Sequence, residues 1–272
     1  MQLAICHYSL HRTFTGKEWT LKDLVSYVED TGAAGIDFHV RFLGAAGSAA
    51  ERIHEAMDGS ELVLAGLSLS TDFNQDDAAE YRAQIETAAE WIEVAGAIGA
   101  PVSRVFGGHL KDRSNPDAVQ TGMARVVDAL KELAPVAVEQ GVVLALENHG
   151  GLPCSGEEQA AVIEAVGSPS CRATIDIGNY MQYPQTPEEG IQAAARHCAY
   201  VHAKDFRRLP DGSLEPATIG QGDVDLPACL RLIKTAGYDG FVALEYEGLD
   251  DELVGVPESV AHITKVIEGL LD

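Results

Sequence analysis

The chain reads as a single α/β domain, a closed parallel barrel of eight strand–helix units. Three observations carry that reading. Short apolar runs alternate eight times with longer amphipathic stretches along the 272 residues. The runs are rich in Val, Ile, Leu and Ala without strict alternation, as in strands buried on both faces. Eight such units in this length match the size of a (β/α)8, or TIM, barrel.

The first unit pairs a strand at 3–8 with a helix at 21–31 that stops at Gly32. The second places a strand at 35–40 and a helix at 49–57, and the third a strand at 62–69 and a helix at 77–98 closed by Gly99. The fourth has a strand at 102–106, then Ser114-Asn115-Pro116, a cap followed by a first-turn proline, opening a helix at 116–139 before Gly141. The fifth runs 142–147 and 156–166 and ends at Gly167. The sixth runs 173–176, with Thr186-Pro187 opening a helix at 187–195. The seventh runs 200–203, then a helix at 226–236 capped by Asp225 and ended by Gly237. The eighth runs 241–245 and 260–271.

No Pro/Gly/Ser-rich linker divides the chain, so one domain spans 1–272. A doubly wound sheet is the rival architecture. It wants a glycine-rich turn after the first strand, and Cys6-His7-Tyr8-Ser9-Leu10-His11-Arg12 has none. Residues Gly220-Gln221-Gly222-Asp223-Val224-Asp225 imitate a phosphate loop but lack its later glycine and lysine, and two acids inside them oppose phosphate.

Composition narrows the function. Hydrophobic residues at 46% and charged residues at 22% belong to an ordered globular protein. Lys and Arg number 19 against 42 Asp and Glu, a formal net charge of −23. Nucleic acid and anionic membrane surfaces are disfavoured partners, and the basic pair Arg207–Arg208 is flanked by Asp205 and Asp211. No apolar run reaches the roughly 18 residues of a membrane span. The N-terminus lacks a signal-peptide pattern, and the five scattered cysteines form no CxxC pair. A cytoplasmic protein with reduced thiols and no cysteine metal site is expected.

Chemistry in such a barrel sits where the strands end. Strand five ends on Glu147, strand six on Asp176, strand seven carries His202, and strand eight ends on Glu245. Helix capping or rim ion pairing explains any one of these. Three carboxylates crowded on one rim require protons or a cation. A donor set of three oxygens and one nitrogen suits Mn²⁺ first, with Mg²⁺ or Co²⁺ as alternatives, over a thiolate-loving metal.

Leu-Glu-Asn-His around Glu147, Asp-Ile-Gly-Asn around Asp176, Val-His-Ala-Lys-Asp around His202 and Leu-Glu-Tyr-Glu around Glu245 resemble the xylose-isomerase-like TIM barrels over nearly the whole chain. That superfamily holds sugar isomerases and epimerases, inosose dehydratases and endonuclease IV. The resemblance implies that Glu147, Asp176, His202 and Glu245 ligate one divalent metal. In its ketose 3-epimerase branch the two glutamates also act as acid and base on opposite faces of the sugar, and an arginine six residues after the metal histidine, here Arg208, holds a substrate hydroxyl. That branch has a histidine three residues after the metal aspartate, where this chain has Asn179.

The expected activity is a divalent-metal-dependent sugar (ketose or keto-sugar) isomerase or epimerase. A small sugar is the partner, and a homo-oligomer is an open outcome. The metal polarises the carbonyl, a carboxylate takes the α-proton, and an enediolate results. Proton return inverts or isomerises, whereas loss of the β-hydroxyl dehydrates. The alternative is therefore a metal-dependent lyase or dehydratase of an inosose or 3-keto-sugar. An endonuclease-IV-like nuclease wants more metal histidines and a basic groove; a non-catalytic sugar-binding barrel would not need an intact ligand set.

Lys204, two residues after His202, faces the interior with it, either to protonate a leaving group, to form a Schiff base, or to pair with a rim carboxylate. His7, His39, His109 and His149 fall near the mouth as candidate sugar contacts, His149 first among them. Trp19, Phe73, Phe106, Tyr180 and Phe206 lie in or near rim loops, with core packing the default for each.

Overall fold

The computed structural model describes residues 1–110 and 112–270. Eight parallel strands close into a barrel: β1 Gln2–Cys6, β2 Gly35–His39, β3 Val63–Ser68, β4 Val102–Phe106, β5 Val143–Glu147, β6 Cys171–Asp176, β7 Cys198–Ala203 and β8 Phe241–Leu244. Each strand pairs with its neighbours in chain order. β8 returns to β1 with Leu3 beside Val242 and Ile5 beside Leu244. A short helix, His11–Gly16, follows the first strand, and eight longer helices follow the strands among the described residues: α1 Leu21–Asp30, α2 Ala46–Met57, α3 Ala78–Ile98, α4 Pro116–Gln140, α5 Gly156–Val166, α6 Pro187–Ala194, α7 Leu226–Thr235 and α8 Glu252–Glu268. The (β/α)8 expectation therefore holds.

The local signals act through identifiable bonds. Asn115 caps α4 by accepting the Asp117 N–H, Thr186 forms a reciprocal capping box with Glu189, and Asp225 accepts the Ala228 N–H. Gly141 ends α4 at φ 68°, a left-handed conformation that a Cβ would strain, and β5 begins two residues later.

Two cores divide the apolar residues. The larger lies between the outward faces of the strands and the inner stripes of the helices, with Ile5, Ile36, Phe38, Leu146 and Val201 all fully buried. The smaller plugs the barrel: Ala4, Ala65, Val102, Ala145, Tyr200 and Ala243. Side chains on one strand face alternate with period two. Two residues beyond five of the six plug positions stand Cys6, Arg104, Glu147, His202 and Glu245, whereas Ala65 is followed by Leu67 of the outer core. The apolar plug thus forms the floor on which a charged layer sits.

α8 begins at Glu252 rather than at 260. Pro257 lies inside it, and the Gly255–Pro257 stretch reads as a breaker. The helix persists because Asp251 caps it through the Leu253 N–H and because Gly255 lies against Tyr246, whose Oη would be 2.0 Å from an added Cβ. The final expected helix position, Leu271, lies outside the described residues. α2 also begins three residues early, at Ala46.

Two rim hairpins were not anticipated. Gly108–His109 pairs antiparallel with Gly151–Leu152, and Asp205–Arg208 with Leu214–Ala217. Buried Asp205 organises the loop after the second hairpin, accepting the N–H groups of Gly220, Gly222 and Val224. A Cβ on Gly222 would stand 2.1 Å from Asp205 Oδ1. The amides that a phosphate would need are thus taken by the chain's own carboxylate, and the stretch is a rim turn.

Candidate metal centre and its cavity

Glu147 ends β5, Asp176 ends β6, His202 lies in β7 and Glu245 follows β8, so four adjacent strands aim four side chains at one point. One ligand atom from each lies within 4.8 Å of all the others, and all four residues are buried. His202 Nδ1 stands 3.4 Å from Glu147 Oε2 and 3.7 Å from Glu245 Oε1. Its other nitrogen, Nε2, stands 3.6 Å from Asp37 Oδ2, and Asp37 accepts a hydrogen bond from Ser68 Oγ at 2.9 Å. Nδ1 therefore faces the carboxylates while Nε2 faces an outer carboxylate that can fix ring and tautomer.

Two cations are built into the same layer. Arg104 Nε is 3.1 Å from Glu147 Oε2, its Nη2 is 4.0 Å from Glu245 Oε1, and Nη1 donates to the Leu69 carbonyl. Lys204 Nζ lies 2.6 Å from Glu245 Oε2, 3.2 Å from Asp176 Oδ2 and 3.4 Å from Glu247 Oε1. Asn179 donates from Nδ2 to Glu147 Oε1 at 3.1 Å, and its backbone N–H donates to Asp176 Oδ1.

A divalent cation fits this set on two grounds. Asp37, Glu147, Asp176 and Glu245 are buried carboxylates, and Arg104 and Lys204 are the buried cations facing them. With His202 neutral, two negative charges remain uncompensated, which a buried site tolerates poorly. In addition both nitrogens of His202 are buried without a hydrogen bond, and Glu147 Oε2 and Asp176 Oδ2 meet Arg104 and Lys204 as ion pairs without hydrogen-bond geometry. Such atoms are costly unless something binds them.

The local field shows the same strain. Burial, reinforced by Glu147 and Glu245 and opposed by Lys204, pushes Asp176 up to about 7. Burial favours neutral His202, but Glu245, Asp37 and Glu147 override it and raise the imidazole to about 10. Burial also disfavours ionised Glu147 and Glu245, yet Arg104 draws Glu147 down and Lys204 draws Glu245 well down. The three carboxylates around Lys204 outweigh its burial and keep the ammonium protonated. The rim-ion-pair role expected for Lys204 is therefore present, and a Schiff-base role would first require removal of that proton.

Above the charged layer lies a cavity of about 180 Å³, lined by Tyr8, His39, Arg41, Ser70 and Arg104 from the first four strands and the turns after them, and by Phe106, His149, Lys204, Glu245 and Glu247 from the end of β4 onward. His149 stacks on Phe106 with centroids 3.9 Å apart, and burial lowers its pKa to about 4, so the ring is neutral. Of the five rim aromatics singled out in the sequence, Phe106 lines this cavity.

His7 and Arg208 lie elsewhere. His7 is fully buried among Phe14, Phe38 and Phe42, and burial lowers it to about 3. Arg208 is exposed on the rim hairpin, with Nη1 on the Gly212 carbonyl and Nη2 on the Met181 carbonyl. His109 pairs with Asp72 at 3.3 Å.

Sequence reasoning passed over Arg104, Asp37 and Arg41. The first two carried a signal: each is a charged residue inside a run read as buried on both faces, where an ionised side chain needs a partner. Arg41 follows β2 in a short 3-10 turn, Val40–Phe42, and carried none.

The closed barrel with a carboxylate–histidine cluster at the strand ends defines a class, and the chain belongs to the xylose isomerase-like TIM barrel family, whose profile matches residues 25–266. Its curated relatives include L-ribulose-5-phosphate 3-epimerase UlaE of Escherichia coli, 28% identical over 174 residues, which are 63% of this chain and 58% of that protein. An uncharacterized protein of Methanocaldococcus jannaschii, MJ1311, is 25% identical over 61% of this chain and 58% of its own length. The matched region thus spans under two thirds of either relative. Among solved structures, an L-ribulose 3-epimerase superimposes with a TM-score of 0.78 at 19% identity, covering 98% of this chain and 95% of that one. The IOLI protein, solved with a bound zinc atom, gives 0.79 at 18% identity over 98% and 96%. These likenesses share the fold. No helix among the described residues is long and apolar enough to cross a membrane.

Proposed function

We propose that this protein is a divalent-metal-dependent ketose epimerase or isomerase. The observation that carries the reading is the convergence of Glu147, Asp176, His202 and Glu245, with ligand atoms within 4.8 Å of one another, beneath a polar cavity. Relatives named as sugar epimerases support the same class. The oxygen-rich donor set favours Mn²⁺, with Mg²⁺ or Co²⁺ next. Bound there, such an ion acts as a Lewis acid, polarising the ketose carbonyl and favouring loss of the neighbouring proton.

The chain's own residues do the rest. Glu147 and Glu245 are held ionised by separate cations, so either can accept the α-proton and the other return one. Arg104 orients the first, Lys204 the second, and Asn179 adds a hydrogen bond to Glu147. Lys204 and His149, which line the cavity, are the proposed substrate contacts, and Asn179, expected as a third, is buried behind it with its amide on Glu147, Gln182 and Lys204. Phe106 and His149 supply the apolar wall on which a sugar C–H face can rest.

The second reading is a lyase acting on an inosose or 3-keto-sugar. One observation favours it: the Lys204 ammonium beside Glu245 is a proton donor for a departing hydroxyl. Incubating ketoses and keto-inositols with the Mn²⁺-loaded protein in D₂O separates the two. Carbon-bound deuterium with an otherwise unchanged formula is the expected result. Loss of water would move the assignment to the lyase, and no exchange with any sugar would remove both. Elemental analysis should find one divalent ion per chain, and EDTA should abolish turnover; activity indifferent to EDTA would contradict the metal role.

Asp37 supplies a further check. Asp37→Asn keeps the shape but weakens the orienting carboxylate behind His202, so metal affinity should fall roughly 10- to 100-fold. Competition against a fluorescent chelator measures it. Unchanged affinity would leave Asp37 without an outer-shell role.

A further inference from the structure

The cavity is asymmetric in charge, and the asymmetry bears on the substrate. Its lining residues from the first three strand ends are Tyr8, His39, Arg41 and Ser70, with no carboxylate among them. Its carboxylates, Glu245 and Glu247, both follow β8, and Lys204 pairs with each. The reacting chemistry proposed above lies at the acidic side. The opposite wall has hydrogen-bond donors that no protein acceptor takes up among the described residues, with Arg41 and Ser70 open to water.

Each of those four groups is left over by the fold. Arg41 makes no ion pair among the described residues, in a chain with 42 acids. Its guanidinium leans over the Phe42 ring at 5.9 Å. His39 Nδ1 accepts the Arg41 backbone N–H at 3.2 Å, which places the ring's hydrogen on Nε2. Burial together with the nearby Arg104 charge keeps that ring neutral. The hydroxyls of Tyr8 and Ser70 form no hydrogen bond among the described residues. A guanidinium, an imidazole N–H and two hydroxyls facing a cavity constitute a donor set for one anion. The several acceptor oxygens and near-double charge of a phosphate monoester match it better than a carboxylate does.

We infer that the substrate is a phosphorylated sugar whose phosphate rests on Arg41, with His39, Ser70 and Tyr8 around it, while its carbonyl end lies over Glu147 and Glu245. The inference rests on the sugar-epimerase reading for the carbonyl end only; the phosphate seat stands on its own residues. It also orients the substrate: the phosphate points to the side of β1–β3 and the reacting carbons to the side of β5–β8.

The test pairs ketopentose 5-phosphates with the corresponding free ketopentoses on the Mn²⁺-loaded protein, following deuterium uptake in D₂O. The phosphorylated sugar should win in kcat/KM by roughly 10- to 100-fold, the range set by one or two charged hydrogen bonds. Arg41→Ala should collapse that preference by at least tenfold, mainly through KM, and Arg41→Lys should restore part of it. Arg41 is exposed, so its replacement leaves the core intact. Equal rates for both sugars, a preference for a sugar acid, or a preference indifferent to Arg41 would overturn the inference. Calorimetry with the same phosphates on metal-free protein keeps the two readings apart. Arg41-dependent binding without exchange of any sugar would sustain the phosphate seat and sink the epimerase. Exchange confined to free sugars, with no Arg41-dependent binding, would do the reverse.

Discussion

Replacing Glu147 or Glu245 by Gln should lower turnover by roughly 10²–10⁴-fold, the contribution of a positioned acid or base. The two substitutions remove the same atom type from different settings. Glu147 is fully enclosed, with Arg104 on Oε2 and Asn179 on Oε1. Glu245 lies at the cavity wall with Lys204 on Oε2. A Gln at either place retains one carbonyl oxygen for a metal but cannot accept a proton from carbon at neutral pH. Metal content measured beside turnover separates the losses. A variant that keeps its ion and loses exchange has lost its base; one that loses both has lost a ligand. If one variant exchanges deuterium into substrate but releases no product, that residue returns the proton rather than removing it. Near-normal turnover in either would strike that glutamate from the mechanism.

The four clustered residues were legible in the sequence because each lies where a short apolar run stops, and a barrel collects such ends on one rim. The eight runs gave that barrel because buried parallel strands have a composition of their own. What surrounds that cluster was harder to see. Arg104 and Asp37 sit within strands, where a charge looks like an interruption unless the inward ladder is known to pass from Ala and Val to acids two residues later. Arg41 belongs to a three-residue turn with no periodicity. The rim hairpins are two to four residues a side, too short for a pattern. The start of α8 was hidden by Pro257, whose missing donor costs less when a cap and a close glycine contact hold the first turn. Substrate orientation depends on which side chains are left unpaired, and pairing is a property of three dimensions alone.

Metal binding should be strongly pH-dependent, with a sign fixed by the two ligands whose protons are held most tightly. In the metal-free protein His202 is raised from 6.5 to about 10 and Asp176 from 3.8 to about 7. Both bind a proton more strongly folded than unfolded. Their contribution to stability is full below the unfolded values and is lost as pH rises, through about 4 to 7 for Asp176 and 6.5 to 10 for His202. Glu147 and Glu245, lowered by their cations, act oppositely and weaken the fold only below their usual range. Thermal melts of metal-free protein should therefore fall steadily from mildly acidic pH to pH 10. A divalent ion needs the Nδ1 lone pair and the ionised Asp176, so binding must expel those protons. At pH 7 that means between about one and two protons per ion, and affinity should climb about tenfold per pH unit toward pH 9. The melting temperature gained from Mn²⁺ should widen over the same interval. Titration calorimetry in buffers of different ionisation enthalpy counts the protons directly, and His202→Ala should remove most of the release. An affinity flat from pH 6 to 9, with no proton expelled, would mean that His202 is not a ligand and that the cluster holds its charges by another arrangement.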